Sequence, residues 1–403
     1  MARKKPKKRL IEASKPHAPN MTILAFTIAM VTFGAIMIFD SSIYIANNPP
    51  FNDQFHFLRL HLIWLLIGVI PASLIYFWDY RKFVKLAFPA LIVVIVMLVA
   101  VLLQPGDANG SKRWLQIGFE QLVVQPAELL KPVFILFLAG WLAKERKQYK
   151  SFNEAFRYGF GQKLIGFAVL LGTVLALVLL EPDLGTTMII CATAFIIFYV
   201  SGTDSAHIVG SGIVSGVLVL LAAAAAVLAP YRLERVKTYF HLLLTGEVKD
   251  SSDTGYQVMQ ILIGIGSAGF WGKGFGQSRQ RFAYLVENTA FTDSIFAVIL
   301  EELGMLGGIL LILSWILFLA AGFKIAEAAP DRTGKLLAIG ITVWLTLQAL
   351  LNMAANVGLI PLTGIPLPFV TYGGSGTIVA LIGSAILLNI SRFTVEKKSN
   401  AII

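Results

Sequence analysis

The run TDSIFAVILEELG sets one acid, Asp293, just before an apolar stretch and two more, Glu301 and Glu302, inside it. A carboxylate at the mouth of a helix has two uses. It can accept the first N–H groups of the helix as a cap, or it can take a proton as a general base. Asp293 is open to both readings. Glu301 falls nearer to its helix face than Glu302 does. Two adjacent acids in an apolar run need partners, and Lys131 is a candidate.

Other reactive groups lie in separate blocks. Lys112, Arg113 and Trp114 stand together in NGSKRWLQIG. A guanidinium beside an indole can clamp a phosphate while the ring supports a sugar or a lipid chain. The same trio would also serve as an anchor in the headgroup region. Glu128 and Lys131, three residues apart, share one helix face. They form either a structural ion pair or part of a polar cavity wall. Asp183, in Glu181-Pro182-Asp183, reads as a cap for the helix that follows. The segment GLIPLTGIPLPFVTYGGSG has too many prolines and glycines for regular helix and is too apolar for a solvated loop. It reads as a broken-helix segment buried against its neighbours, with the hydroxyls of Tyr372 and Ser375 facing a cavity.

The elements that must position these groups are membrane helices. Of the 403 residues, 57% are hydrophobic and 14% charged, with a mean hydropathy of +0.75. Soluble domains carry about 25% charged residues. The fold class is therefore an all-α polytopic membrane protein. Stretches long enough to span lipid fall near 21–44, 57–78, 84–103, 127–143, 164–180, 186–201, 208–229, 295–321, 336–356 and 376–391, ten in all. Residues 1–20 form a basic tail without the features of a signal peptide, 21–391 the membrane domain, and 392–403 a second tail. A long loop, 230–294, joins the seventh and eighth spans.

Lysine and arginine gather in the tails and in the loops YRKFVK, KERKQYKSFNEAFR and FKIAEAAPDRTGK. Both termini are thus expected in the cytoplasm, with the Gly-, Pro- and Trp-rich loops outside. The net charge of +10 reflects this asymmetry, and a nucleic-acid partner is not expected. The single cysteine, Cys191, permits no intrachain disulfide, and the five histidines lack metal-ligand spacing. Nothing resembles a phosphate-binding Walker loop.

Five ordered blocks, NGSKRWLQIG…QPAELLK, EPDLGTT, GYQVMQILIGIGSAGFWGKGFGQSRQRFAYL, TDSIFAVILEELG and LIPLTGIPLPFVTYGGSG, resemble the signature blocks of the SEDS family. The resemblance runs from the first helix to the last. It implies a ten-helix enzyme of the bacterial cytoplasmic membrane that polymerises lipid II outside the cell. A class B penicillin-binding protein would be its partner, among other divisome or elongasome proteins. It also implies that Asp293 is the catalytic residue and that Lys131 and Asp183 line the central cavity. The GKGFGQSRQRFAYL block is more similar to the FtsW and SpoVE branch than to RodA, which favours division over elongation. One departure stands out. Where relatives read LPE, two residues and TD, this chain reads LVENTAFTD, so Glu287 lies two residues farther from Asp293.

The chemistry implied is glycosyl transfer from undecaprenyl pyrophosphate, a good leaving group, to a sugar hydroxyl. One carboxylate suffices for displacement with inversion, whereas a covalent intermediate would call for a second. Asp293 would be the base. Arg113, Lys131 and Arg279 or Arg281 would supply positive charge, with Trp114, Glu128, Gln277, Tyr372 and Ser375 as further substrate contacts. No cofactor is required. A divalent cation, Mg or Mn, could assist, although no ligand cluster is visible. Two other classes fit part of the pattern: a transporter that flips lipid II, and a scaffold that only recruits a penicillin-binding protein.

Overall fold

The computed structural model describes residues 16–104, 113–116, 123–144, 160–202, 209–210, 212–213, 216–217, 237–241, 244–245, 253–282 and 289–394. Its helices are α1 (Met21–Asn47), α2 (His56–Phe77), α3 (Tyr80–Leu103), α4 (Pro126–Leu142), α5 (Phe160–Leu180), α6 (Leu184–Val200), α7 (Asp253–Ala268), α8 (Ile295–Ala328), α9 (Arg332–Asn356) and α10 (Gly374–Ser391). A two-residue ribbon precedes α4: β1 (Leu115–Gln116) pairs antiparallel with β2 (Val123–Val124).

Local chemistry explains where several helices begin. Asn20, Asp79, Asp183 and Asp331 each stand one residue before a helix and accept a first-turn N–H, with Asp331 taking that of Gly334 at 2.7 Å. α4 begins on Pro126, whose missing N–H is no loss at a first helical position. The α5–α6 hairpin turns through Glu181–Asp183, as the sequence predicts.

Six helices, α1, α2, α3, α8, α9 and α10, are long and apolar enough to cross a membrane. They are not equivalent. In the most apolar stretch of α9, 83% of residues are buried in protein, against 22% for α2. α9 and α10 therefore form the centre, and the others turn a broad apolar face to lipid. Trp315, Phe318, Phe26 and Phe369 interlock at the α1–α8 contact.

The two described ends of the chain meet. The His17 N–H donates to the Arg392 carbonyl at 2.9 Å, and the Asn20 N–H to Ser391 Oγ at 2.9 Å. Asn389 Nδ2 reaches the Ile75 and Tyr76 carbonyls at the same end, at 2.8 and 2.9 Å. Arg81 pairs there with Asp331 at 2.8 Å. Arg81, Arg332 and Arg392, at the start of α3, the start of α9 and the end of α10, thus share one end of the bundle.

The structure departs from the sequence reading in two places, and one further expected span is not described. Nearly all of the expected span 208–229 lies outside the described residues. The segment 230–294, read as a long loop, contains the helix α7. Ile261 and Ala268, seven residues apart and so on one helix face, are buried while Leu262 and Ile263 stay exposed. α8 is longer than expected and is broken at Gly304, where φ is +68° and ψ −169°.

Candidate active site

A cavity of about 720 Å³ opens at the end opposite the one where His17 and Arg392 meet. α10 fixes this relation, because Gly374–Thr377 lie in the cavity wall while Ser391 bonds Asn20. The irregular segment 357–373 supplies much of the wall, including Pro361, Thr363, Gly364, Pro366 and Tyr372. Irregular backbone is tolerated at membrane depth only where protein or a water-filled cavity satisfies it.

Asp293 lies in this wall. It sits in a turn closed by Thr292 and Ser294 N–H groups, both on the Thr289 carbonyl at 3.0 Å. The N-cap of α8 is the next residue, Ser294, which makes no side-chain cap bond. Thr292 Oγ1 donates to Asp293 Oδ1 at 3.1 Å. Gly364, at φ +68°, lies by the other oxygen: a Cβ there would stand 3.8 Å from Oδ2.

Arg113 and Trp114 are also in the wall. Arg113 is oriented by two carbonyls of the hairpin turn, Glu181 at 3.0 Å from Nε and Pro182 at 2.5 Å from Nη2. The Glu181 carboxyl is buried, and burial pushes its pKa up to about 8, Asp183 adding to the rise and Arg113 opposing it. Near neutral pH burial therefore favours the protonated form of this carboxyl. Among the described residues Arg113 is the only cation in the wall.

Glu128 lines the cavity, whereas Lys131 stands behind it. Lys131 Nζ donates to Glu128 Oε1 at 2.6 Å and to Gln348 Oε1 at 2.8 Å, and lies 5.6 Å from the centre of the Trp344 ring. Gln348 in turn donates from Nε2 to the Pro366 carbonyl at 3.0 Å and accepts from Trp344 Nε1 at 2.9 Å. The lysine thus braces the wall through Glu128 and Gln348. Breaking such a buried pair costs about 3–5 kcal/mol, because the remaining charge is left unpaired.

Asp183 caps α6, accepting the Thr186 N–H and hydroxyl, each at 2.9 Å, and Gln125 Nε2 at 3.1 Å. It holds Gln125, which is in the wall, but is not itself a wall residue. Ser375 lines the cavity and accepts the Gln125 N–H at 3.3 Å. Tyr372 lines it too, its N–H on the Phe291 carbonyl at 2.9 Å.

Gln277 and Arg279 are not brought to the cavity. Both are exposed on the loop 269–282, which folds back on the break in α8. There Glu301 takes Lys273 Nζ, Ser278 Oγ at 2.7 Å and the Arg279 N–H at 3.1 Å. Glu302 takes the Ser278 N–H at 3.1 Å. The expected pairing of these acids with Lys131 is therefore corrected: Lys273 serves Glu301, because the glycine-rich loop returns to that point. Arg281 is taken by Asp40, Nη1 to Oδ1 at 3.1 Å. Lys112 and Glu287 lie outside the described residues.

Sequence reasoning missed Gln125, Gln257, Thr292, Gln348 and Thr363, all in the wall. A signal for one of them was present. Gln348, Asn352 and Asn356 recur every fourth residue in a membrane helix, which sets three amides on one face. Among the described residues, no group of three or more His, Cys, Asp or Glu side chains could hold a metal.

A multi-pass helical membrane protein whose cavity presents two acids, Asp293 and Glu128, and, among the described residues, one cation, Arg113, has the groups of a membrane enzyme. Residues 20–396 match the FtsW/RodA/SpoVE family model, described as cell cycle protein. The chain belongs to this family, the SEDS glycosyltransferases. It is 35% identical to stage V sporulation protein E of Bacillus subtilis over 94% of this chain and 99% of that one. It is 34% identical to a probable peptidoglycan glycosyltransferase FtsW of Trichlorobacter lovleyi, over 92% and 93%. Among solved structures, a chain from a study of polymerization and crosslinking by a peptidoglycan synthase complex superposes with a TM-score of 0.71, at 27% identity and covering 93% and 98%. Thermus thermophilus RodA superposes at 0.64 with 24% identity, over 94% and 98%, a likeness of fold.

Proposed function

We propose that this protein polymerises lipid II into glycan strands at the outer face of the bacterial cytoplasmic membrane. The observation that carries the reading is Asp293 in the wall of a cavity that also presents Arg113. The Asp293 carboxylate takes the proton of the acceptor sugar hydroxyl. The freed oxygen pair forms a bond to the anomeric carbon of the donor, and the bond from that carbon to the pyrophosphate oxygen breaks. Undecaprenyl pyrophosphate leaves with the electron pair, and the anomeric centre inverts. Arg113 stabilises the charge that develops on the leaving pyrophosphate. Trp114 supports the sugar or the lipid chain beside it.

A class B penicillin-binding protein fits as partner, since the superposed synthase complex pairs polymerization with crosslinking. A role in division, with other divisome proteins, is supported by the FtsW name of several relatives and by the GKGFGQSRQRFAYL block. Orientation is read from the basic residues in the sequence of the tails and cytoplasmic loops, and from Arg81, Arg332 and Arg392 at the end where His17 meets Arg392. Both termini face the cytoplasm and the cavity faces outward. A reporter fused after Lys398 should be active only inside the cell, and activity only outside would reverse the orientation.

The direct test is purified protein in detergent given lipid II. Polymer resolved by gel electrophoresis is expected. A protein that only flips lipid II, or that only recruits a cross-linking enzyme, makes none under these conditions, and failure of the active-form protein to polymerise would select one of those readings.

A further inference from the structure

Asn352 and Asn356 stand four residues apart on α9 and are 2% and 1% exposed. Neither lines the cavity, yet both reach the acid that does. Asn352 Nδ2 donates to the main-chain carbonyl of Asp293 at 2.8 Å, and Asn356 Nδ2 to the same oxygen at 2.9 Å. A side-chain amide has two N–H hydrogens. Asn352 gives its second to the Ile365 carbonyl at 2.7 Å. Asn356 gives its second to its own helix, at the Asn352 carbonyl, at 3.0 Å.

The two asparagines are therefore unequal. Asn356 supports one carbonyl. Asn352 joins two separate pieces of the cavity wall: the turn that carries Asp293, and the irregular segment one residue beyond Gly364. Gly364 is the residue that flanks the Asp293 carboxylate. One NH₂ group thus sets the spacing between the carboxylate and the floor beside it. It does so from α9, the helix most enclosed by protein. Packing alone would be served by leucine, and a buried amide is favourable only when its hydrogens are used.

We infer that Asn352 is a positioning residue for the transfer reaction, holding the Asp293 turn in register with the 364–366 segment, with Asn356 as a secondary support. This rests on the reading of Asp293 as the base. A base displaced by about 1 Å can lose two orders of magnitude in rate. Substrate affinity need not change, because the Asn352 side chain does not itself line the cavity.

The test compares Asn352→Leu, Asn352→Ser, Asn356→Leu and Asp293→Asn with the parent, as purified full-length proteins in detergent. Lipid II polymerisation is measured over a range of lipid II concentrations, and folding by size exclusion and thermal unfolding. Asn352→Leu is expected to lower kcat about ten- to a hundredfold, with KM within about twofold of the parent. Asn352→Ser keeps one donor and adds no bulk. It is expected to fall between the parent and Asn352→Leu, and it carries the test if the leucine variant does not fold. Asn356→Leu should lose less than Asn352→Leu. Parental kcat per folded molecule in both Asn352 variants, or a loss expressed only in KM, would overturn the positioning role. Asp293→Asn separates the two ideas. If that variant polymerises, the base reading fails; if it is silent while the Asn352 variants keep parental kcat, only the positioning role fails.

Discussion

Asp293→Asn is expected to fold, insert and make almost no glycan from lipid II. Asparagine has nearly the size of aspartate, and it caps a helix about as well. It can still accept the Thr292 hydroxyl that Asp293 Oδ1 accepts at 3.1 Å. The main-chain bonds of the turn, including those from Asn352 and Asn356, do not involve the altered atoms. What changes is the carboxylate itself: its charge is lost, and an amide does not take a proton near neutral pH. General-base catalysis typically contributes 10²–10⁴-fold, so the rate should fall by about that factor at unchanged stability. The structure also weakens the cap reading, since Ser294 occupies the N-cap position of α8. Gel-resolved polymer from the purified variant, beside its thermal unfolding curve, decides the matter. Near-parental polymer would move the role to another acid. Glu128, in the cavity wall with a free Oε2, would be tested first, followed by Glu287.

Much of this site was legible in the sequence, because membrane constraints are severe. Asp293, Arg113, Glu128, Tyr372 and Ser375 all stand out as polar or reactive groups beside apolar runs, and all reach one cavity. The segment 358–376 was legible for the same reason: its prolines and glycines forbid helix, and lipid forbids exposed irregular backbone. What was not legible depends on contacts distant in sequence. Nothing near Glu301 in the chain reveals that Lys273 will reach it. Nor does the spacing of Glu128 and Lys131 say which of them faces the cavity; Gln348 and Trp344, from α9, draw the lysine behind the wall. Gln277 and Arg279 stand away from the cavity because the loop that carries them is pinned to α8. The amides of α9 were overlooked although their period of four was in plain view.

That pinned loop leads to the second large effect, expected for Gly304→Ala. At Gly304 φ is +68° and ψ −169°, a region that only glycine enters without strain. Space is lacking as well. A Cβ would stand 2.3 Å from the Gly272 nitrogen, 2.4 Å from the Phe270 carbonyl oxygen and 2.6 Å from the Trp271 carbonyl carbon. All three are backbone atoms, so no side-chain rotation relieves the clash. Gly272 is the mirror case, with its Cβ position 2.1 Å from the Glu302 carbonyl oxygen. The two glycines let loop and helix meet backbone to backbone. Lys273 and Gly274 N–H groups reach the Glu301 and Glu302 carbonyls at 2.9 and 3.0 Å. The Met305 and Leu306 N–H groups reach the Gly269 and Phe270 carbonyls, both at 3.2 Å. The break in α8 would otherwise leave these groups unpaired at the membrane, at a cost of several kcal/mol each. The section of α8 ahead of the break, 295–303, directly follows Asp293, so a shift there moves the base. Gly304→Ala should therefore lower the unfolding midpoint sharply, by about 3 kcal/mol or more in stability, and reduce polymerisation in whatever protein remains folded. Gly266→Ala, on α7 with nothing within 4 Å of its Cβ position, is the matched control. It should be neutral or stabilising by up to about 1 kcal/mol, the usual gain of alanine over glycine inside a helix. Parental unfolding and parental turnover in Gly304→Ala would mean that the loop does not hold the helix at the break, and that Asp293 is positioned by the α9 amides and its own turn alone.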